Sequence, residues 1–292
     1  MFLQYLLLFL GVIACSTSAI FIRSSATDPF VLTAFRLVIA SVFLTPVFVA
    51  QLGKYPGGFT RAHFRRTHAP ALVLALHLIS WTLGARMTVV AQATLIVNLV
   101  PIALPFFLLW LVRERINRTE VVGTVLAIAG LVILSLKDAL KGGGSLAGDA
   151  VCFASMLLFG LYLALGRRNR DFPSIWLYMI PVYAQAAVLC LVVALPRIRT
   201  FEFGSSREWA IMIGLGAVPT VCGHSLLNAA MRRIRGQIVS LCNVSQFVFA
   251  AFMGYLLFGE VPSGLFYGAS AVVVAGVATV VLAMPAPAAE PS

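Results

Sequence analysis

The sequence predicts an all-α membrane protein with ten transmembrane helices in two inverted five-helix repeats. Three observations predict this fold: the composition, a series of ten apolar segments, and a repeat at half the chain length. Of the 292 residues, 61% are hydrophobic and 11% are charged, whereas soluble domains are roughly 45–50% apolar and about 25% charged. A soluble fold of this length could not cover so much apolar surface.

The ten apolar segments are mostly close to the roughly 20 residues that a membrane-spanning helix needs. The fifth is short unless its polar flanks are included. The first has no Lys or Arg before it, unlike a cleaved signal peptide, so we expect it to remain as a helix. The segments comprise residues 2–22, 30–52, 70–88, 89–112, 121–136, 146–165, 175–195, 209–231, 238–258 and 265–284.

Two parts of the chain resemble each other. Glu114 ends an apolar segment and precedes Gly130 by 16 residues, and Glu260 ends another and precedes Gly276 by 16 residues. The two glutamates are 146 residues apart, half of 292. Because each half holds an odd number of helices, the second half would enter the membrane from the opposite side, which gives inverted repeats. We expect repeats at residues 1–141 and 142–284, and a disordered Pro/Ala-rich tail at 285–292.

The net charge of +11 does not indicate a nucleic-acid partner, because the Lys and Arg residues form short clusters between apolar segments. If the N-terminus lies inside, the inner loops hold thirteen Lys and Arg residues and the outer loops hold seven. This bias predicts that both termini are cytoplasmic in a multi-pass protein of the inner (plasma) membrane. The lipid bilayer is then an expected partner of the protein. We expect the protein to be a monomer or a homodimer.

The five cysteines lie within apolar segments and show no paired spacing, so we predict neither a disulfide nor a metal site. In the glycine run 141–145 the lysine precedes the glycines, which favours a flexible linker over a phosphate-binding loop. We therefore predict no cofactor. No cluster of His, Asp and a nucleophile is visible, so we predict no catalytic residues and no enzyme activity.

Several positions resemble the EamA family of the drug/metabolite transporter superfamily. They are Arg36 in the second helix after 28–30, the segment 91–114 with its Pro101, and the matching segment 236–260. The resemblance covers residues from about 11 to 282. It implies ten helices in two inverted repeats around a central substrate cavity. The chain departs from the family where Gln246 and Phe247 replace a frequent Glu-Pro pair, which removes a charge and a helix-kinking proline.

The resemblance implies a secondary transporter of small polar metabolites, most often an exporter of amino acids or related compounds that works by alternating access. The expected partner is then a small-molecule substrate. A facilitator or importer of another metabolite, such as a vitamin, a nucleoside or a metallophore-like acid, is the alternative interpretation. A channel would need a pore of repeated rings, and a membrane enzyme would need a catalytic cluster.

Polar residues deep in apolar segments predict the lining of the cavity, because such groups are costly in hydrocarbon. The positions of His77 and His224 differ by 147 residues, close to the repeat offset, so the two are nearly equivalent in the two halves. The same residues could instead join helices by hydrogen bonds. The substrate-binding candidates are His77, Trp81, Asn98, His224, Asn228, Asn243, Gln246, Tyr162 and Ser16, with Ser18 and Tyr183 as further candidates.

Arg36 lies a turn or two from the outer end of the second helix, close enough to extend its charge to the membrane surface. We favour such an anchoring role over contact with a substrate carboxylate. We expect Glu114 to hold a loop arginine or a helix end. No Asp or Glu lies deep in an apolar segment, which argues against the exchange of protons for cationic drugs. If transport is coupled to protons, His77 and His224 are the candidate carriers.

Overall fold

The computed structural model describes residues 2–88, 90–140, 145–198, 205–258 and 264–282. Glu260, most of the predicted linker and the predicted tail lie outside these residues. The regular elements that the structure describes are all helices. In chain order they are α1 (Phe2–Ser24), α2 (Pro29–Lys54), α3 (Arg61–Arg66), α4 (His68–Met87), α5 (Val90–Asn98), α6 (Val100–Val112), α7 (Arg118–Leu140), α8 (Leu146–Arg168), α9 (Ile175–Ile198), α10 (Ser206–Leu215), a π-helical segment (Gly216–His224), α11 (Ser225–Arg233), α12 (Gly236–Val244), α13 (Gln246–Phe258) and α14 (Gly264–Leu282).

Membrane-spanning helices account for most of the described chain. Nine helical stretches in it are long and apolar enough to cross a bilayer, and each overlaps one of the predicted apolar segments. The predicted fifth segment falls within α7, which has 23 residues. The protein is therefore a multi-pass membrane protein.

Two helices that the sequence predicts as continuous are broken. The first break lies at Leu99, between α5 and α6, and the second at Ser245, between α12 and α13. The two positions are 146 residues apart, which is the repeat offset. Pro101 explains the first break, because it lacks the N–H that would donate to the carbonyl four residues earlier. The second break has no proline. It follows Asn243, and Asn and Ser are both weaker helix formers than the apolar residues around them.

The main contacts between helices form a symmetric pattern: each contact recurs when both helices are replaced by the equivalent helices of the other half. Helix α2 packs against α9, and α7 packs against α14, so each of these pairs joins equivalent helices. Helix α4 packs against α8, and the equivalent pair, α1 with the π-helical segment and α11, is also in contact. The contact of α8 with α5 and α6 has its counterpart in the contact of α1 with α12 and α13. Corresponding surfaces are therefore buried in both halves.

Glycines bring α7 and α14 close together. A Cβ atom added at Gly123 would lie 2.2 Å from Cγ2 of Val280 and 2.7 Å from the carbonyl oxygen of Gly276. A Cβ atom at Gly276 would lie 2.7 Å from the carbonyl oxygen of Gly123. Small residues at such positions let helix backbones approach within a membrane, where dispersion contacts between helices replace the hydrophobic effect.

Replacement of Gly123 by valine is expected to destabilise the protein by about 1–3 kcal/mol, because the added methyl groups overpack against backbone atoms that cannot rotate away. The matched control is Gly268→Val on α14, since a Cβ atom at Gly268 meets no heavy atom within 4 Å. Thermal unfolding of the purified variants in detergent measures the difference. Equal melting temperatures for the two variants would show that α7 and α14 do not pack through Gly123.

Candidate functional site

A cavity of about 60 Å³ lies between the two halves of the chain. Helices α1, α2, α4 and α5 line it from the first half, and α8, the π-helical segment and α13 line it from the second. Its volume is enough for a few water molecules, so the structure holds the cavity in a contracted form. The lining residues are Cys15, Ser16, Ser18, Ala19, Arg36, His77, Trp81, Thr94, Val97, Asn98, Phe159, Pro219, His224, Gln246 and Ala250.

Most of the residues that the sequence singles out come together here. The predicted residues in the lining are His77, Trp81, Asn98, His224, Gln246, Ser16 and Arg36, together with the further candidate Ser18. Their role in substrate binding stays a prediction. Sequence reasoning missed Thr94, although a hydroxyl in the fourth apolar segment was a visible signal. It also missed Phe159, whose apolar side chain gave no signal.

Three of the substrate-binding candidates lie outside the lining, as does the further candidate Tyr183, whose hydroxyl donates to the Thr220 carbonyl at 2.9 Å. Asn228 and Tyr162 are both fully buried, and the Asn228 amide donates hydrogen bonds to the Tyr162 hydroxyl at 2.8 Å and to the His224 carbonyl at 2.9 Å. The structure therefore corrects the placement of Asn228, which joins α11 to α8 instead of facing the cavity. Asn243 is 3% exposed, and its Oδ1 atom has no hydrogen-bond partner among the described residues.

The two histidines face each other across the boundary between the halves. Their ring centroids are 6.2 Å apart, and the His77 ring stacks on Phe159 at 4.7 Å. The Nδ1 atom of His77 lies 3.0 Å from the backbone carbonyl oxygen of Ser155. The same Nδ1 atom lies 2.9 Å from the Ser155 hydroxyl, so Ser155 holds the His77 ring through both its backbone and its side chain. The Nδ1 atom of His224 is buried and has no partner in the described part of the chain.

Arg36 does not extend to the membrane surface, contrary to the favoured interpretation of its sequence position. Its side chain is 1% exposed and lines the cavity. Its Nε atom donates to Oγ1 of Thr220 at 2.5 Å, and Nη1 donates to Oγ of Ser18 at 3.4 Å. Hydroxyl groups from α1 and the π-helical segment hold the guanidinium inside the protein because they accept its hydrogens.

The π-helical segment places His224 in the lining and was not predicted. It contains Pro219, which cannot donate a backbone hydrogen bond, and the Thr220 hydroxyl donates to the carbonyl of Leu215, five residues earlier, at 2.8 Å. A Cβ atom at Gly223 would lie 3.0 Å from the backbone nitrogen of Cys15, so glycine here allows α1 to approach. Irregular turns of this kind occur frequently at functional sites.

Both broken helices meet the cavity at their breaks. Asn98 ends α5 and Gln246 begins α13, and both side chains line the cavity. Discontinuous helices are a frequent way to bring backbone polar groups to a binding site inside a membrane. The break at Ser245 therefore preserves the geometry of the first break, although the chain lacks the proline found there.

A polar cluster joins the two halves at one end of the helices. We call this end the basic end, and it contains the loops at residues 55–60, 113–117, 169–174 and 234–235. Arg167 forms an ion pair with Glu114 at 2.9 Å and donates to the carbonyl oxygens of Met231 and Ile234. The other Glu114 oxygen accepts from the backbone N–H of Gly236 at 2.9 Å. These contacts agree with the role expected for Glu114.

A second ion pair strengthens the same end. Arg235 pairs with Glu120, which is 1% exposed and also caps α7 through the backbone N–H of Asn117. The cluster thus connects the α6–α7 connection of the first half to α8 and to the α11–α12 connection of the second.

At the opposite end, a vestibule of about 360 Å³ adjoins the cavity. It is lined by Ala19, Ile22, Arg23, Ser25, Ala85 and Arg86, and Ala19 also lines the cavity. Arg86 is held by the carbonyl oxygens of Thr27 and Ser25 at 2.6 and 3.0 Å. The Ser25 hydroxyl donates to Glu208 at 2.6 Å.

The described residues were compared with the side-chain groups that bind metal ions in proteins. They contain no group of three or more His, Cys, Asp or Glu residues that could hold a metal ion. The cysteines are free thiols, of which Cys15, Cys152 and Cys190 are buried.

Comparisons with known proteins agree with this architecture. A solved crystal structure with 20% sequence identity matches this chain with a TM-score of 0.78, over 96% of this chain and 97% of the other, and likeness at that identity shows the fold alone. No curated protein matches the chain. The sequence profile of the EamA-like transporter family matches twice, over residues 2–136 and 146–282. The chain therefore belongs to the EamA-like transporter family and is a membrane transporter of the drug/metabolite transporter superfamily.

Proposed function

We propose that the protein is a secondary transporter that exports small polar metabolites, amino acids or related compounds foremost, across the inner membrane. One observation carries this proposal: a single cavity receives polar side chains from both halves and from both broken helices. A site shared by two repeats can be exposed to either side of the membrane by rocking of one repeat against the other. Such a site would not need to hydrolyse a nucleotide.

The proposed architecture is ten transmembrane helices in two inverted repeats, at residues 1–141 and 142–284. The symmetric pattern of helix contacts supports this architecture, because the α2–α9 and α7–α14 contacts each join equivalent helices of the two halves. The equivalent helix breaks at Leu99 and Ser245 support it independently. With five helices in each half, the repeats have opposite orientations in the membrane.

The proposed cargo follows from the lining. Asn98, Gln246 and two serines offer hydrogen bonds without charge, Trp81 offers an aromatic ring, and Arg36 offers a positive charge. An amino acid carries groups that match all three, and a vitamin or metallophore-like acid matches them in part. Import or facilitated diffusion of such a compound is the alternative function, because the contracted cavity has no built-in direction.

Both termini are expected to be cytoplasmic. The basic end is rich in arginine, and positively charged loops are retained on the cytoplasmic side. Reporter fusions after Pro56 and at Ser292 should therefore both give the cytoplasmic signal. A periplasmic signal at Ser292 would contradict either the proposed ten crossings or the orientation.

Metabolite profiling of cells and medium, with and without the expressed gene, tests the proposed function directly. At least one small polar compound is expected to accumulate in the medium and fall in the cells. Ala250→Phe should remove this change, because the ring would fill the cavity that Ala250 lines. The matched control, Ala271→Phe, adds the same ring at an exposed position on α14 and should retain it. Identical profiles for the gene and the empty vector would overturn the proposal.

A further inference from the structure

We infer that the cavity binds its substrate through a carboxylate that pairs with the Arg36 guanidinium, and that the substrate is a small organic acid with a net negative charge. This inference rests on the proposed transport function and narrows its substrate class. It also implies that a substrate ammonium group is not required for binding, so that a carboxylic acid anion binds better than the amino acid of the same carbon skeleton.

The first support is the orientation of Arg36. Thr220 accepts from Nε and Ser18 accepts from Nη1, while Nη2 has no hydrogen-bond partner among the described residues. The Thr220 hydroxyl in turn donates to Leu215, and its backbone carbonyl accepts from Tyr183 at 2.9 Å. The guanidinium is thus held through Nε and through one N–H of Nη1. The second N–H of Nη1 and the N–H groups of Nη2 remain as donors, and the end of the group formed by Nη1 and Nη2 is an arrangement that recognises a carboxylate through two parallel hydrogen bonds.

The second support is the absence of a counter-charge. Arg36 is 1% exposed, and no Asp or Glu of the described chain lies within ion-pair distance of it or in the cavity lining. A charge that is removed from water without a partner is costly inside a membrane protein. A bound anion would supply that partner, so binding and charge compensation would occur in the same step.

The third support is the sign of the whole lining. Apart from Arg36, the polar side chains of the cavity belong to Ser, Thr, Asn, Gln, Trp and His residues, and none of these carries a negative charge at neutral pH. Amide and hydroxyl oxygens can accept from an ammonium group but cannot neutralise it. The charge balance of the site therefore favours a monoanion over a zwitterion, and a zwitterion over a cation.

The vestibule that adjoins the cavity has the same polarity. Arg23 and Arg86 are its charged lining residues. The carboxylate of Glu208 lies behind Ser25, where it accepts hydrogen bonds from Ser25, Thr27 and the backbone N–H of Ala26. Clefts lined by one sign of charge raise the local concentration of ions of the opposite sign. Ala19 lines both the vestibule and the cavity, so an anion would meet positive charge in each of these neighbouring spaces.

Acetate and acetamide form a matched probe pair for direct binding, because they have the same heavy-atom shape and differ in charge. Both are small enough to serve as probes of a contracted cavity. Sodium acetate is expected to raise the melting temperature of the purified protein in a saturable manner, beyond the effect of equimolar sodium chloride. Acetamide is expected to cause no such shift. An equal response to acetate and acetamide, or no specific response to acetate, would overturn the inference.

Variants at Arg36 assign the response to its site. Arg36→Gln should abolish the acetate-specific shift, and Arg36→Lys should weaken it severalfold but retain it, because lysine keeps the charge without the fork of donors. The melting temperature of each variant without ligand reports its folding. If Arg36→Gln does not fold, the lysine variant decides the question. An acetate-specific shift as large as that of the wild-type protein would then contradict binding of a carboxylate by two donors of the guanidinium. Retention of the shift in a folded glutamine variant would refute the inference.

The same metabolite profiles separate this inference from the proposed function. The compounds moved by the wild-type protein should be carboxylates with a net negative charge, and export should be lost in Arg36→Gln. A moved compound without a net negative charge, such as a nucleoside, an amine or a zwitterionic amino acid, would overturn the inference while the transport function stands. A protein that moves no compound would overturn both.

Discussion

Replacement of Arg167 by glutamine is expected to lower the free energy of unfolding by about 3–5 kcal/mol, the usual cost of removing one partner of a buried ion pair. The side chains of Arg167 and Glu114 are 10% and 13% exposed. The substitution leaves the Glu114 carboxylate without its charged partner, and it frees the carbonyls of Met231 and Ile234, which accept from Arg167 at 2.7 and 3.0 Å. One connection between the halves, to Glu114, and two connections within the second half, to Met231 and Ile234, weaken together.

Arg66→Gln is the matched control, because it makes the same chemical change at the same end of the protein. Arg66 forms an ion pair with Asp171 at 2.6 Å, but these side chains are 38% and 59% exposed, and exposed pairs contribute about 0–1 kcal/mol. Thermal unfolding in detergent should therefore show a much larger loss for Arg167→Gln than for Arg66→Gln. Equal losses of melting temperature in the two variants would mean that burial does not make the Arg167–Glu114 ion pair more stabilising than the exposed Arg66–Asp171 ion pair.

A double-mutant cycle isolates the pair itself. Glu114→Gln alone should also destabilise the protein, since it leaves the Arg167 charge unpaired. The double variant should lose less than the sum of the two single variants, because residues in direct contact are not additive. If the losses of unfolding free energy were additive, Arg167 would stabilise the protein only through its contacts with the backbone carbonyls of Met231 and Ile234.

Hydropathy was sufficient to predict the helices, because a chain in a membrane must bury its backbone hydrogen bonds within each spanning segment. The half-chain offset between Glu114 and Glu260 also predicted which positions correspond. That offset relates the break at Leu99 to the one at Ser245, although only the first has a proline nearby. Tertiary packing, which the sequence pattern does not display, must support the second break.

The errors at the site have local causes. The spacing of four between His224 and Asn228 predicts one shared face on an α-helix. His224 ends a π-helical segment, and the Asn228 amide nitrogen donates to the His224 carbonyl four residues earlier and to the Tyr162 hydroxyl. These contacts hold the Asn228 side chain between helices, away from the cavity. Arg36 was misplaced because its acceptors, Ser18 and Thr220, are distant in sequence: Thr220 follows it by 184 residues.

The two cavity histidines are the groups on which any proton coupling is expected to depend. His77 and His224 face the same cavity at a ring separation of 6.2 Å, and imidazole is the side chain that titrates near neutral pH, at about 6.5 when unperturbed. The other titratable or charged groups that face them are Arg36 and Cys15 in the lining and Tyr162, whose ring is 5.9 Å from that of His224. A proton on either imidazole would add positive charge beside Arg36, so an anion bound at Arg36 would favour protonation and the two could move together.

The variant His77→Gln, His224→Gln is expected to lose all dependence of transport on an imposed pH gradient while it still exchanges substrate down the substrate's own gradient. Glutamine keeps the capacity for hydrogen bonding but cannot carry a proton in this pH range. Reconstituted vesicles with and without a pH gradient provide the measurement, with the compound identified by metabolite profiling as the substrate. The matched control is His63→Gln, His68→Gln, which alters a half-buried and an exposed histidine near the basic end and should keep the full response. A double cavity variant that retains its response to the gradient would exclude both histidines as the coupling groups.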